Sequence, residues 1–195
     1  MSKVKVPTID LEKAKDDPSQ LKLLDKACKD HGFFLLKNHG MQEEIDDMWR
    51  MSEWFFNQPR EDKLKIIRTE TIPLGYYDRE LTKQKRDLKE VFDFMYTKSN
   101  GEDLNQWPEN KVFRSKMQNF FSKASLVAEE TLKLVFLNLS HNVYQLPSGE
   151  KSTSNARLNY YPIDDPLEEK TRKDISKLGD MALHHHTDPG ILTLL

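Results

Sequence analysis

The stretch HGFFLLKNHG, residues 31–40, sets the pattern from which the rest of the chain can be interpreted. Its apolar run, Phe33 to Leu36, follows Gly32 and precedes the turn-forming letters NHG, as is typical of a buried strand that ends in a turn. Upstream, Asp17 and Pro18 form a helix-start signal, and apolar residues at helical spacing continue from there to the glycine. The sequence therefore predicts a helix that ends at Gly32 and passes directly into a strand.

Further elements are predicted on both sides of this stretch. An opening strand is predicted at Val4 to Leu11, and the longest periodic segment predicts a helix from about Lys111 to Tyr144. A second helix, which Pro59 ends before a short third helix, is predicted from the stripe Ile45, Met48, Trp49, Ser52 and Phe56. The other predicted strands are Val91 to Tyr96, Arg157 to Tyr161, Met181 to Thr187 and Ile191 to Leu195. Because helices come first and strands last, the predicted fold class is α+β.

A polar segment, a mixed charge run, the cysteine and an aromatic cluster are predicted to have structural roles. The segment Thr69 to Lys89 is polar and is predicted to be exposed, and the charge run from Arg79 to Glu90 mixes both signs, as a solvated face does. Cys28 is predicted to be a small buried residue on the first helix. An aromatic cluster at helical spacing is predicted to pack in the core: Trp49, Trp54, Phe55 and Phe56.

The overall charge argues against a polyanionic partner. The 195 residues include 30 lysines and arginines and 32 aspartates and glutamates, so the net charge of -2 gives no long-range field that would collect nucleic acid. No apolar run approaches the ~20 residues of a membrane-spanning helix, and residues 1–10 lack the apolar stretch of a signal peptide. A single cysteine fits a reducing compartment. We therefore expect a cytoplasmic protein without a nucleic-acid or membrane partner.

The sharpest local motif is His186-Thr187-Asp188, at the end of a predicted strand. Residues two apart on a strand point to the same face, so the imidazole of His186 and the carboxylate of Asp188 can converge. These groups are two-thirds of the facial triad that holds Fe(II) and leaves coordination positions open. Taken alone, the tripeptide also fits a chance match in a solvated histidine run. His184, ~13 Å from Asp188 along a strand, and His185, on the opposite face, are not expected to be ligands.

An ordered series of motifs extends over nearly the whole chain. It comprises VPTIDL at 6–11, Ala27-Cys28 before HGFF and NHG, Phe55-Phe56 before Pro59 and Lys63, Gly75-Tyr76, the strand around Glu90 to Phe94, RLNYYP at 157–162, HTD at 186–188 and GILTLL at 190–195. In this series the sequence resembles the Fe(II)/2-oxoglutarate-dependent, isopenicillin N synthase-like dioxygenase family. The resemblance implies a mostly helical N-terminal region at residues 1–110. It implies that residues 111–195 form the scaffold helix and first strands of a double-stranded β-helix, or jelly roll.

The same resemblance implies the chemistry and the site. Members of the family hold Fe(II) and use 2-oxoglutarate as cosubstrate to oxidise a small molecule, so His186 and Asp188 are expected to be metal ligands. Strand alternation places Arg157, Asn159 and Tyr161 on one face, and in the family this face lines the metal pocket. Asn159 and Tyr161 are therefore expected to bind the cosubstrate carboxylate or to shape its pocket. The structural alternative for these two residues is cross-strand packing in an aromatic ladder.

The sequence departs from the family pattern at its end. The family's second histidine ligand and the Arg-x-Ser pair that binds the distal carboxylate of 2-oxoglutarate lie well beyond the first H-x-D motif, and this sequence ends at Leu195 before them. We therefore expect a truncated jelly roll that is inactive alone. Two alternatives are an oxidase on the same fold that omits 2-oxoglutarate, and a non-catalytic short form that acts by binding. The second could self-associate through an open sheet edge.

Overall fold

The structure, a computed structural model, describes residues 5–82, 84–97, 103–139, 154–165, 167, 178–179 and 190–195. Its α-helices are Pro18–Asp30 (α1), Gln42–Phe56 (α2), Arg60–Leu64 (α3) and Lys111–Asn138 (α4). Its strands are Thr8–Asp10 (β1), Leu35–Lys37 (β2), Gly75–Tyr77 (β3), Leu81–Thr82 (β4), Lys85–Arg86 (β5), Glu90–Met95 (β6) and Asn155–Tyr160 (β7). Helices and sheets are both present, as the sequence predicted. Within these ranges, no helix combines the length and apolar character needed to cross a bilayer.

The strands of the described residues form three small sheets. β1 pairs with β2 in parallel, β4 pairs with β5 in antiparallel, and a third, antiparallel sheet has the order β3-β6-β7. In the third sheet, Asp93 of β6 lies opposite Gly75 of β3 and Arg157 of β7. Val91 of β6 lies opposite Asn159. This register decides which side chains share a face of the sheet.

The chain divides into two compact units, one of residues 1–45, 122–148 and 190–195 and the other of residues 46–121 and 149–189. In the first unit, Asp17 caps the start of α1, and its carboxylate accepts a hydrogen bond of 2.8 Å from the backbone N–H of Ser19. Pro18 occupies the start of the helix, where its missing N–H costs nothing. The helix ends as predicted, because Gly32 follows with a φ of 74°, which glycine adopts without strain.

The second unit is built around an aromatic core. One face of the β3-β6-β7 sheet packs against residues of α2 and α4, and the buried cluster comprises Phe55, Phe56, Tyr76, Phe92, Phe94, Phe113, Met117, Phe121 and Leu158. Ring centroids are 4.9 Å apart for Phe55 and Phe92, and 5.4 Å apart for Phe92 and Phe113. Full burial of one such side chain contributes about 1.5–3 kcal/mol of hydrophobic free energy. The cluster therefore fixes this sheet against both helices.

Gly75 opens β3 at a point where two backbone segments approach closely. Its φ is 110°, and an added Cβ atom would collide with the carbonyl oxygen of Ile66. The Nε2 atom of Gln106 would lie 3.1 Å from the same Cβ atom. That amide donates hydrogen bonds of 3.0 Å and 2.7 Å to the carbonyls of Ile67 and Leu74. The position therefore has no room for a side chain.

Several predictions about apolar residues are wrong. The buried strand predicted at Phe33 to Leu36 is exposed and begins later: β2 starts at Leu35, and Phe33 and Leu35 are 59% and 56% exposed. Within the described residues, β2 pairs with β1 alone. Trp49 is 64% exposed, because Ser52, Phe55 and Phe56 form the buried side of α2. Cys28 is half-buried. The strand predicted at Ile191 to Leu195 is not formed.

Two predicted elements lie partly or wholly outside the described residues. The strand predicted at Met181 to Thr187 is one of them. The other is the end of the long helix, since α4 reaches Asn138 and the description stops at residue 139 before resuming at 154. Strand β7, which was predicted to end at Tyr161, ends at Tyr160.

Of the polar segment from 69 to 89, residues 69–73 are exposed as predicted, but the prediction that the charge run from 79 to 90 is a solvated face is wrong. Residues 69–90 contain β3, β4 and β5, and several of their charged side chains are buried: Asp78, Arg86, Asp87, Lys89 and Glu90. A mixed charge run fits a solvated surface, but it equally allows buried side chains to neutralise one another. Here the second outcome holds, and ion pairs join this segment to α3, to β7 and to residue 165.

Candidate functional site

The two faces of the β3-β6-β7 sheet differ in chemistry. Leu158 and Tyr160 of β7 face the aromatic core, and Arg157 and Asn159 alternate with them on the opposite face. Tyr160 stacks on Phe56 with ring centroids 5.2 Å apart and an interplanar angle of 17°. Aromatic packing at this strand therefore involves Tyr160, and it leaves the face of Arg157 and Asn159 polar.

Arg157 is held on that polar face by two acidic side chains. Its Nε and Nη2 atoms donate to the two carboxylate oxygens of Asp93 at 2.6 Å and 2.8 Å. Its Nη1 atom donates to Glu80 at 3.0 Å. Bidentate, charge-assisted bonds of this kind fix both the position and the plane of a guanidinium group. They join β7 to β6 through side chains as well as through the backbone.

Two further cations contact the same acids. Arg68 lies 2.9 Å from Glu80 and 3.2 Å from Asp93. Lys89 is buried and lies 2.9 Å from Glu80. Side chains from three loop positions, from β6 and from β7 thus form one connected ionic group on the polar face. We call it the polar-face cluster: Arg68, Glu80, Lys89, Asp93 and Arg157.

Glu80 is the acid on which three cations of the polar-face cluster converge. Burial acts to raise the pKa of Glu80, but the hydrogen bond from Lys89 and the charges of Arg157 and Arg68 outweigh it. The pKa of Glu80 is therefore held below its usual range, and the carboxylate stays ionised at neutral pH. Three N–H groups of Arg157 are engaged by Asp93 and Glu80, which balance the charge of its guanidinium group.

Asn159 and Tyr161, the predicted cosubstrate residues, are both exposed at the end of β7. The side chain of Asn159 makes no hydrogen bond with the described residues, so its carboxamide is accessible to a ligand. Tyr161 is 46% exposed and follows the last residue of β7. The alternation argument therefore holds for Arg157 and Asn159 but does not extend to Tyr161. The binding role of both residues stays a prediction.

The part of the chain that contains β3 and β6 matches a known family model. Residues 6–110 match the model described as non-haem dioxygenase in morphine synthesis N-terminal. This match spans more than half of the 195 residues. The chain belongs to the Fe(II)/2-oxoglutarate dioxygenase family.

Relatives extend the dioxygenase likeness to the rest of the chain. Gibberellin 20 oxidase 1 of Arabidopsis thaliana is 29% identical, over 97% of this chain and 52% of the relative. Homoarginine-6-hydroxylase 2-ODD-C23 of Glycine max is 32% identical, over 94% of this chain and 60% of the relative. The crystal structure of JOX2 in complex with 2OG, Fe and JA superposes with a TM-score of 0.74 at 23% identity, over 95% of this chain and 53% of JOX2, and shows a shared fold. The chain spans about half the length of these relatives.

The dioxygenase chain also contains a buried ionic group that the sequence analysis missed. Lys63 of α3 donates to Glu90 at 2.5 Å and to the backbone carbonyl of Phe56 at 3.0 Å. The hydroxyl of Tyr76 donates to the same carboxylate oxygen of Glu90 at 2.6 Å. Burial and this hydrogen bond raise the pKa of Tyr76 well above its usual value, so the phenol stays a neutral donor. Lys63 and Glu90 lie 27 positions apart in the sequence, so the spacing of a helix or strand does not predict their contact.

The predicted metal ligands of the dioxygenase, His186 and Asp188, lie outside the described residues, as do His184 and His185. Among the residues that are described, no group of three or more His, Cys, Asp or Glu side chains could hold a metal ion. The ligand assignment therefore stays a prediction from the sequence.

Proposed function

We propose that this chain is part of an Fe(II)/2-oxoglutarate-dependent dioxygenase that oxidises a small molecule. The observation that carries the proposal is the exposed carboxamide of Asn159 on the polar face of β7, which makes no hydrogen bond with the residues that the structure describes. It belongs to a chain whose residues 6–110 match a dioxygenase family model. The observation matters because it leaves a hydrogen-bonding group free at the position where the family resemblance expects cosubstrate to bind.

The architecture that we propose is a helical N-terminal region followed by a truncated jelly roll. The N-terminal region would comprise residues 1–110, and the jelly-roll part would begin at residue 111, where α4 starts. The fold likeness to JOX2 over 95% of this chain supports this arrangement. The described β7, which follows α4 in the sequence, would be an early strand of the jelly roll.

The polar groups at the C-terminal end of β7 and just after it fit a carboxylate ligand. The carboxamide N–H groups of Asn159 and the hydroxyl of Tyr161 are hydrogen-bond donors that suit an oxygen-rich keto acid. Arg157 has its charge balanced by Asp93 and Glu80, so we assign it to holding β7 in place and not to binding the acid. The cosubstrate's distal carboxylate would require the Arg-x-Ser pair of the family, which lies outside this sequence.

His186 and Asp188 are the residues that would hold Fe(II). An imidazole nitrogen and a carboxylate oxygen fit the donor set that suits this ion. Bound Fe(II) supplies the activation of dioxygen that couples oxidative decarboxylation of 2-oxoglutarate, to succinate and carbon dioxide, with oxidation of the substrate. The contribution of the chain's own residues is to orient the cosubstrate through Asn159 and Tyr161.

A polypeptide of these 195 residues would by itself be inactive. His186 is the last histidine of the sequence, so the polypeptide offers two of the three metal ligands that the family uses. The chain covers 52% of gibberellin 20 oxidase 1, which accords with part of the catalytic machinery being supplied elsewhere.

The substrate class that we propose is a small organic molecule. The relatives are named for a gibberellin and for homoarginine, and JOX2 is described with JA. The near-neutral charge of the chain accords with a substrate other than nucleic acid, and its single cysteine accords with a cytoplasmic location.

The test uses a longer polypeptide in which this chain is followed by a segment that supplies the second histidine and the Arg-x-Ser pair. We expect Asp188→Ala to abolish succinate formation and His184→Ala to leave most of it. Asn159→Ala should raise the KM for 2-oxoglutarate about 10- to 100-fold, the cost of losing hydrogen bonds to a charged group. Undiminished succinate formation by Asp188→Ala would refute the metal assignment. An unchanged KM in Asn159→Ala would refute the cosubstrate role of that residue.

A further inference from the structure

The ion pair of Asp93 with Arg157 lies directly beside Asn159 on the polar face of the β3-β6-β7 sheet. Asp93 and Arg157 are cross-strand partners in the register of β6 and β7, and the next pair on the same face is Val91 with Asn159. Both pairs belong to one antiparallel ladder that extends over the whole of β7. Whatever holds the first pair together therefore also sets the position of the Asn159 carboxamide along β6.

Apolar packing alone does not select this register. On the core side, Leu158 lies opposite Phe92, and Tyr160 lies opposite Glu90. A shift of two residues keeps every side chain on its own face of the sheet. It would place Leu158 opposite Phe94 and Tyr160 opposite Phe92. Because the shifted register pairs Tyr160 with an aromatic ring instead of a carboxylate, the burial of apolar surface does not oppose it.

The polar face does distinguish the two registers. In the shifted register, Arg157 would lie opposite Met95, and Asp93 would lie opposite Asn159. Asp93 is 3% exposed, and it would lose the two hydrogen bonds of 2.6 Å and 2.8 Å that Arg157 donates. Separating the partners of a buried charged pair is strongly unfavourable. Asp93 and Arg157 therefore stabilise the observed register over the shifted one.

We infer that Asp93 is a positioning residue for the cosubstrate, because its pair with Arg157 holds β7 in the register that places Asn159. The inference rests on the proposed function, in which Asn159 binds 2-oxoglutarate. A shift of two residues would move the carboxamide by about 7 Å along β6. Since a misplacement of about 1 Å in an active site can cost ~100-fold in rate, such a shift removes the contact. Asp93 needs no contact of its own with the cosubstrate for this role.

The register is tested in the 195-residue chain, without metal or cosubstrate. Nuclear Overhauser contacts between Val91 and Asn159 report the observed register, and contacts between residue 93 and Asn159 report the shifted one. Asp93→Asn removes the charge and keeps the side-chain size, so the first contacts should weaken and the second should appear. Asp93→Glu, which keeps the charge, should retain the observed contacts. So should Asp62→Asn, which removes a carboxylate from the exposed pair with Lys65. Unchanged contacts in Asp93→Asn would overturn the inference.

The positioning role is tested in the longer polypeptide that supplies the second histidine and the Arg-x-Ser pair. Asp93→Asn should raise the KM for 2-oxoglutarate about 3- to 30-fold and leave kcat within about 2-fold. Anaerobic calorimetry should show a similar rise in the Kd for 2-oxoglutarate. Asp93→Glu should keep the KM near that of the unsubstituted polypeptide. In the Asn159→Ala background, Asp93→Asn should leave the KM unchanged, because the effect of Asp93 passes through Asn159.

The outcomes separate this inference from the proposed function. A rise in KM for Asn159→Ala, with a lower kcat and an unchanged KM for Asp93→Asn, would show that Asp93 stabilises the fold and positions nothing. An equal rise in KM for Asp93→Asn in both backgrounds would show that Asp93 does not act through Asn159. Either result overturns the inference alone. An unchanged KM for Asn159→Ala would refute the cosubstrate role of Asn159, and this inference with it. Circular dichroism checks that each variant is folded.

Discussion

At the scale of single residues, Lys63 and Lys65 form a matched pair two positions apart. Lys63 is 5% exposed and is bound to Glu90, whereas Lys65 is exposed and is bound to Asp62. Removing one partner of a buried pair leaves the other charge uncompensated, so Lys63→Met should lower the free energy of unfolding by about 3–5 kcal/mol. Lys65→Met should change it little, since exposed pairs are weak. Urea denaturation measures both, and equal effects would contradict a stabilising role for the Lys63–Glu90 pair.

Glu80 gives a prediction about pH. Its pKa is lower in the folded chain than the unfolded value of 4.5, so the unfolded state binds its proton more readily. The stability that Glu80 contributes is therefore present at neutral pH and is lost as pH falls below about 4.5 toward the folded pKa. Glu80→Gln should lower stability at pH 7 by about 1–3 kcal/mol and flatten the decline on the acid side.

The control for this experiment is Glu129→Gln, which removes an exposed carboxylate on α4. Urea denaturation at a series of pH values from 7 to 3 should give it the same profile as the unsubstituted chain. If the profile of Glu80→Gln were as steep as the control's, the ionised form of Glu80 would not be what the cluster stabilises.

At the scale of elements, α4 offers adjacent residues with opposite environments. Phe113 is fully buried and contacts Trp54, Phe55 and Phe92, whereas Val112 is 58% exposed. Phe113→Ala removes a ring from a packed aromatic core and should lower the free energy of unfolding by about 3–5 kcal/mol. Val112→Ala should change it by less than about 0.5 kcal/mol. Similar values in denaturation experiments would mean that α4 does not pack through Phe113.

The helices and strands that could be predicted are those whose signals are local. Asp17 and Pro18 mark the start of α1 because a cap and a proline act on the adjacent backbone, and Gly32 marks its end for the same reason. Strand β7 was predicted within one residue of its observed end, which places Asn159 correctly on the face of Arg157.

Contacts between distant residues could not be predicted in this way. Arg157 and Asp93 are 64 positions apart, and their pairing depends on the register of β6 and β7, which a single sequence does not specify. The buried state of Lys89 and Glu90 depends in turn on such partners. For the candidate site, the sequence predicted the strand face that Asn159 shares with Arg157 but not the ion pairs that hold Arg157 there.

At the scale of the whole molecule, we expect the 195-residue chain alone to form no succinate. The chain contains two predicted metal ligands, His186 and Asp188, where the family uses three. Even the loss of supporting contacts around a metal typically lowers metal affinity ~10- to 100-fold, so the loss of a ligand should lower it further. The measurement is an anaerobic titration with Fe(II) and 2-oxoglutarate, followed by oxygen and a succinate assay. Stoichiometric binding of both, with succinate formation that Asp188→Ala removes, would show that the remaining residues suffice.

Gly75 has a consequence for how this molecule can vary over generations. Every missense change of a glycine codon adds at least a Cβ atom, and at this position that atom would collide with the carbonyl oxygen of Ile66. The φ of 110° adds a second obstacle for any L side chain. Inherited variation at codon 75 should therefore be confined to synonymous changes wherever the fold is maintained by selection. Codon 32, where an added Cβ atom would meet no atom within 4 Å, should tolerate more.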